Sequence, residues 1–224
     1  MANIEKGKPL PDHTKLRHEE CYAKLLLEHC IPKFKNGLVL RDKPDLYCPD
    51  CDTGIEVTDI MSKEKREAVK LWYTTPYVSE EKRVKNIERM RQLGVEYSGG
   101  VQTWPTIVYD KELESKPYVE LYDAIKKKLE KLNNGNLDLF GQNELILMTE
   151  IDFYGYESHL IGEKLIQAQN GFSLKFNSLY IVTIDQLFQY DLEQSQIKEY
   201  YFDQYAIARL ARDLVERGEE DEQA

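Results

Sequence analysis

Pro44-Asp45-Leu46-Tyr47-Cys48-Pro49-Asp50-Cys51-Asp52-Thr53-Gly54-Ile55-Glu56-Val57-Thr58 reads as two short extended segments joined by a turn. Pro, Asp and Gly crowd the middle of the stretch, and these residues favour tight reversals of the chain. Side chains alternate across a strand, so Glu56 and Thr58 point one way while Ile55 and Val57 point the other. Pairing of the two segments as a hairpin brings Asp45 beside Glu56. Two carboxylates close together make an oxygen-rich site for a hard cation such as Mg²⁺ or Mn²⁺.

Outward from this hairpin, the sequence predicts a helix over His13 to Cys30, with Leu16, Ala23, Leu26, Leu27 and Cys30 on one side and Pro32 as its stop. Leu38 to Leu40, Leu46-Tyr47 and Gly54 to Ile60 read as three strands. Ser62 to Trp72 and Ser79 to Leu93 read as polar helices, and Trp104 to Tyr109 as extended. Pro117 to Leu132 is an amphipathic helix whose expected buried stripe is Val119, Tyr122, Ile125 and Leu129. A buried strand over Glu144 to Phe153 and a helix over Glu157 to Gln169 come next. Strands over Leu179 to Ile184 and Leu187 to Tyr190, then a last helix over Tyr200 to Arg217, complete the pattern. The expected fold is α/β, an α-β-β-β-α-β core with a helical insertion after its third strand and C-terminal β-β-α additions. Its expected organisation is a single domain over 1–224, with core 14–60 and 117–153, insertion 62–116, extension 154–217 and acidic tail 218–224.

At 224 residues with 31% charged and 42% hydrophobic residues, the chain suits one sizeable domain of ordinary globular composition. It has no apolar run long enough to span a membrane and no apolar leader at Met1, so a cytoplasmic protein without a membrane partner is expected. The net charge of −10 argues against coating nucleic acid by bulk charge. Charge is uneven, however: residues 61–91 hold nine Lys or Arg against five Glu, a net of +4, whereas 191–224 carry a net of −6. Lys63, Lys65, Arg66, Lys70, Lys82, Arg83 and Lys85 are thus candidates to contact phosphates, with Trp72, Tyr73, Tyr77 and Tyr97 interleaved as candidates to stack on bases. Solvated helix faces account for the same basic residues without any ligand.

Cys21, Cys30, Cys48 and Cys51 do not suggest a disulfide framework. Cys48-Pro-Asp-Cys51 is half of a zinc ribbon without its second pair, so structural zinc there is not expected. The four histidines show no ligand spacing.

Pro44-Asp45 and Gly54-Ile55-Glu56-Val57-Thr58, set in this order of elements, resemble the PD-(D/E)xK nuclease superfamily, the restriction-endonuclease-like fold. The resemblance covers residues 14–60 and 117–153. It implies a metal-dependent nuclease, an Mg²⁺ endonuclease with Asp45 and Glu56 as metal ligands, acting on nucleic acid, DNA ahead of RNA. It also implies a role in defence or mobile-element biology, and a homodimer, since many such nucleases pair to cut two strands. Thr58 stands where the family usually carries a lysine that orients the attacking water; a threonine hydroxyl supplies no positive charge. Lys63 or Lys65 could reach back to replace it. The alternative is a catalytically degenerate member of the fold that binds nucleic acid or a protein partner. In the family a first-helix Glu often supports the metal. With Leu16 at 0° and about 100° per residue, Glu19 falls at about 300° inside the apolar stripe and Glu20 at about 40° on its edge, so both are candidates.

Overall fold

The computed structural model describes residues 17–60, 63–75, 78–94, 117–149, 155–192 and 196–217, apart from the side chains of a few of them. The chain divides into two compact units, Thr14–Ile60 with Lys116–Ala224, and Met1–His13 with Met61–Ser115, the second of which takes in the expected insertion.

The larger unit is mixed α/β. Helix α1 (His18–Cys30) leads through a short 3₁₀ turn into strands β1 (Val39–Leu40), β2 (Leu46–Cys48) and β3 (Thr53–Ile60). After the other unit come α4 (Pro117–Asn133), β4 (Gln142–Thr149), α5 (Gly155–Ala168), β5 (Ser178–Val182), β6 (Gln186–Asp191), β7 (Gln196–Tyr201) and α6 (Gln204–Arg217). The strands form one seven-stranded sheet in sequence order, with β3, β4 and β5 parallel and the other neighbouring pairs antiparallel.

Alternation along the central strands builds two cores. Ile55, Ile146, Tyr180 and Val182 join Leu26, Leu27 and Phe34 of the α1 side, with Ile207 of α6. Leu145, Leu147, Leu179 and Ile181 join Leu121, Ile125 and Leu129 of α4 and Leu165 of α5 on the opposite face. The helices α4 and α5 share a face, as two crossovers of one hand require when both step the same way across a sheet.

Several boundaries differ from expectation. The extended segment after β6 is a third C-terminal strand: β7 runs to Tyr201, so the last helix begins at Gln204 rather than Tyr200. Its alternating polar residues, with Lys198 and Glu199 exposed, hide it in the sequence because it is an edge with only one neighbour among the described residues. Among the described side chains the buried stripe of α4 is Leu121, Ile125, Leu129 and Leu132; Tyr122 lies outside it with 37% exposure, and the side chain of Val119 lies outside the described residues. Residues 150–154, the expected strand at Trp104 to Tyr109, the cap at Ser62 and the tail from 218 lie outside the described residues.

In the smaller unit, α2 (Lys63–Thr74) and α3 (Glu80–Gln92) pack through Ala68 and Met90, with Leu71, Ile87 and Leu93 around them. Buried Asn86 donates to Thr75 Oγ1 at 3.1 Å, satisfying two polar groups at that contact. No helix among the described residues is long and apolar enough to cross a membrane.

Candidate functional site

The hairpin forms with Leu46 opposite Ile55 and Tyr47 opposite Gly54, a register that sets Asp45 against Glu56. Asp52 makes the turn with φ of 44°, and its side chain fastens the turn to β4: Oδ2 accepts from the Gly141 amide at 2.9 Å, at the start of that strand. Asp52 is therefore structural. Cys48 is buried and Cys51 half-buried; both are free thiols, as are Cys21 and Cys30.

Asp45 Oδ2 accepts a 2.7 Å hydrogen bond from the Val57 amide, tying the carboxylate to the strand that carries Glu56. Glu56 is buried and faces α4, in the same row as Leu145. Its Oε2 accepts a 2.6 Å bond from Lys128 Nζ, which also donates to the Val57 carbonyl at 3.3 Å. Burial pushes the Glu56 carboxyl above its usual range; Lys128 pulls the other way, and the Asp45 charge adds to the rise. Among the described residues each carboxylate is engaged through one oxygen only.

The two candidate acids of α1 part company. Glu19 is exposed, whereas Glu20 is half-buried, and its carboxyl is pushed up to about 7, first by burial and then by the neighbouring Asp45 charge. Exposed Arg17, 3.4 Å from Glu20, offsets part of this. A wheel angle gives direction only; at the first turn of α1 Glu19 is exposed among the described residues, although the same direction is buried further along at Leu26 and Cys30. Asp45 thus lies in electrostatic contact with both Glu20 and Glu56.

Thr58 lies two residues beyond Glu56 on the same side of β3, and its Oγ1 is buried without a hydrogen-bond partner among the described residues. A positive charge does reach Glu56, from Lys128, which the sequence analysis did not single out. A signal existed. With Ile125 at 0°, Leu121, Leu132 and Leu129 lie at about 320°, 340° and 40°, and Lys128 at about 300°, on the flank of the buried stripe.

Glu144 is a buried carboxylate of a different kind, on the α1 face. Its two oxygens accept from Lys33 Nζ at 2.6 Å and from the Tyr180 hydroxyl at 2.8 Å, a closed set that reads as structural.

Among the described residues no three His, Cys, Asp or Glu side chains form a ready metal cage. In the smaller unit Arg66, Lys70 and Lys82 are exposed, while Arg83 and Lys85 pair with Glu80 and Glu81 one turn earlier. Arg89 holds Glu67 through two bonds of 2.7 and 2.8 Å. Part of the basic excess is therefore neutralised within the unit. The side chains of Lys63, Lys65, Trp72, Tyr73, Tyr77 and Tyr97 lie outside the described residues.

Comparison with known proteins adds no family: no family model, curated protein or solved structure matches the chain.

Proposed function

We propose that the chain is a metal-dependent nuclease of the PD-(D/E)xK kind, with Glu20, Asp45 and Glu56 as its acidic residues and Lys128 in place of the strand lysine. The observation that carries this reading is Lys128 Nζ bound to Glu56 Oε2 while Asp45 is tied to the next residue of the same strand. An aspartate, a glutamate and a lysine thereby meet although Thr58 breaks the linear pattern. The run α1, β1, β2, β3, α4, β4 supplies the element order that the resemblance implies.

The donor set fits Mg²⁺ or Mn²⁺, since the groups are carboxylate oxygens and, among the described residues, one oxygen each of Asp45 and Glu56 stays uncommitted. Glu20 fits too: burial and Asp45 keep it partly protonated near neutrality, so it ionises fully when positive charge arrives. A bound divalent cation would polarise a phosphodiester and lower the pKa of a coordinated water. Lys128 has three donors, of which Glu56 and the Val57 carbonyl take two; among the described residues the third is left to orient water or steady a phosphoryl oxygen. DNA is the first substrate to try, and a cytoplasmic setting goes with it.

The test is incubation of the purified chain with DNA and RNA in Mg²⁺ or Mn²⁺. Cleavage should disappear in Lys128→Met, and in Asp45→Ala combined with Glu56→Ala. Cleavage that survives the double replacement sinks the assignment. The closed Glu56–Lys128 pair also favours a second reading, a non-catalytic module in which lysine stands where the metal would be. A flat Mn²⁺ titration by calorimetry, with nucleic-acid binding retained, selects that reading.

A further inference from the structure

We infer that Arg41, Tyr47 and Phe140 form a stacking platform for an unpaired base beside the carboxylates, which makes the substrate single-stranded nucleic acid or a frayed or flapped end. This rests on the nuclease reading and names its substrate class. Tyr47 lies two residues beyond Asp45, and its register partner Gly54 lies two residues before Glu56. The platform therefore occupies the next step of the same sheet face, about 7 Å from the carboxylates. That step is close to the spacing of neighbouring nucleotides in an extended strand.

The Phe140 ring lies directly on Gly54, where a Cβ would meet the ring at 2.4 Å. Its centroid is 5.0 Å from that of Tyr47, with the rings tilted at 43°. The Arg41 guanidinium sits 5.4 Å from the Tyr47 centroid and 5.7 Å from that of Phe140. The two rings are half-buried, Arg41 is exposed, and Leu139 beside Phe140 is 58% exposed. A small pocket whose lining includes Gly54, Glu56, Pro44, Asp138 and Asn143 lies beside Gly54, under the Phe140 ring.

Charge selects the occupant. Arg41 and Lys43 are both exposed, and among the described residues neither has a carboxylate partner. The acidic neighbours are Asp42 between them, Asp45 opposite Arg41, whose amide donates to the Asp45 carbonyl at 3.1 Å, Asp52, which accepts from the Tyr47 hydroxyl at 3.4 Å, and Asp138 in the pocket lining. An exposed guanidinium beside two aromatic rings suits a backbone phosphate with its base stacked on a ring or on the guanidinium plane. A base inside a duplex already has both faces covered by its neighbours, so only an unstacked base can use the platform.

The test uses the full chain with Ca²⁺ present and measures fluorescence anisotropy of a labelled oligothymidylate, an abasic strand of equal length and a duplex. The single strand should bind roughly tenfold or more tighter than the abasic strand, the range expected for loss of one stacking contact. Arg41→Ala and Phe140→Leu should each erase that difference, the first at an exposed position where folding is not at stake. Equal affinity for single and abasic strands, or a preference for duplex that both variants leave unchanged, overturns the platform while leaving nuclease activity standing. Failure of the unmodified chain to bind or cut any nucleic acid overturns the nuclease reading and the platform together.

Discussion

Replacing Lys128 by methionine keeps an unbranched side chain of similar length and deletes the charge opposite Glu56. The two side chains are only 15% and 9% exposed. Removing one member of such a pair leaves a buried charge unmatched, at a cost of roughly 3–5 kcal/mol while that charge persists. Proton uptake is the escape. Burial already raises the Glu56 carboxyl and Lys128 is the largest influence holding it down, so the variant's folded-state value moves further up. An acid whose folded pKa exceeds its unfolded value contributes stability that is complete below the unfolded value and disappears as pH rises through the folded one. The deficit of Lys128→Met is therefore small below 4.5, the unfolded reference, and grows through neutrality. Urea unfolding of parent and variant across this range measures it. Lys128→Met combined with Glu56→Gln should recover stability to within about 1 kcal/mol of the parent at every pH. A deficit that ignores pH, or a double variant no better than the single one, refutes the reasoning.

Glu20→Gln should match the parent below 4.5 and exceed its stability above about 7, where the raised carboxyl of the parent is ionised. Allowing for solvent screening, the gain is about 1–2 kcal/mol by urea unfolding. Asp45→Asn retains an acceptor for the Val57 amide, whereas Asp45→Ala strands it, so the alanine variant should be less stable by about 1–3 kcal/mol. In both, NMR titration should find the Glu20 carboxyl lowered, because the Asp45 charge is gone. Gly54→Ala drives a methyl into the Phe140 ring and should cost about 1–3 kcal/mol, read as a lower Tm that Phe140→Leu partly restores. Mn²⁺ at about 100 times its Kd should stabilise the parent by roughly 2.7 kcal/mol and leave Asp45→Ala combined with Glu56→Ala unmoved.

The hairpin was legible because its information is local. Alternation fixes the faces of β3, turn-forming residues mark the reversal, and twelve positions separate Asp45 from the amide it accepts from. Lys128 was not legible, because it meets Glu56 across 72 positions and through a helix rotation that sequence fixes only to within a residue. Taking Val119 and Tyr122 instead of Leu121 and Leu132 for the α4 stripe turned the centre of that face by about 60°, away from Lys128, and left it unremarked. The strand β7 escaped for another reason. Its residues alternate weakly and its Tyr200-Tyr201 end merges with the apolar periodicity of α6. The closed Glu144 set joins Lys33, Glu144 and Tyr180, three residues far apart in the chain that only the folded sheet brings together.

The same edge strand bears on self-association. Two copies adding β7 to β7 about a two-fold axis must set residues of equal parity opposite each other, because only those share a face. The two longest registers of this kind over Gln196–Tyr201 match Lys198 with Lys198 or Glu199 with Glu199. Like charges directly opposite are unfavourable, and a charged edge is a common guard against sheet extension. A lysine and a glutamate side by side thus act as a lock on continuous growth of the sheet, one protecting each face.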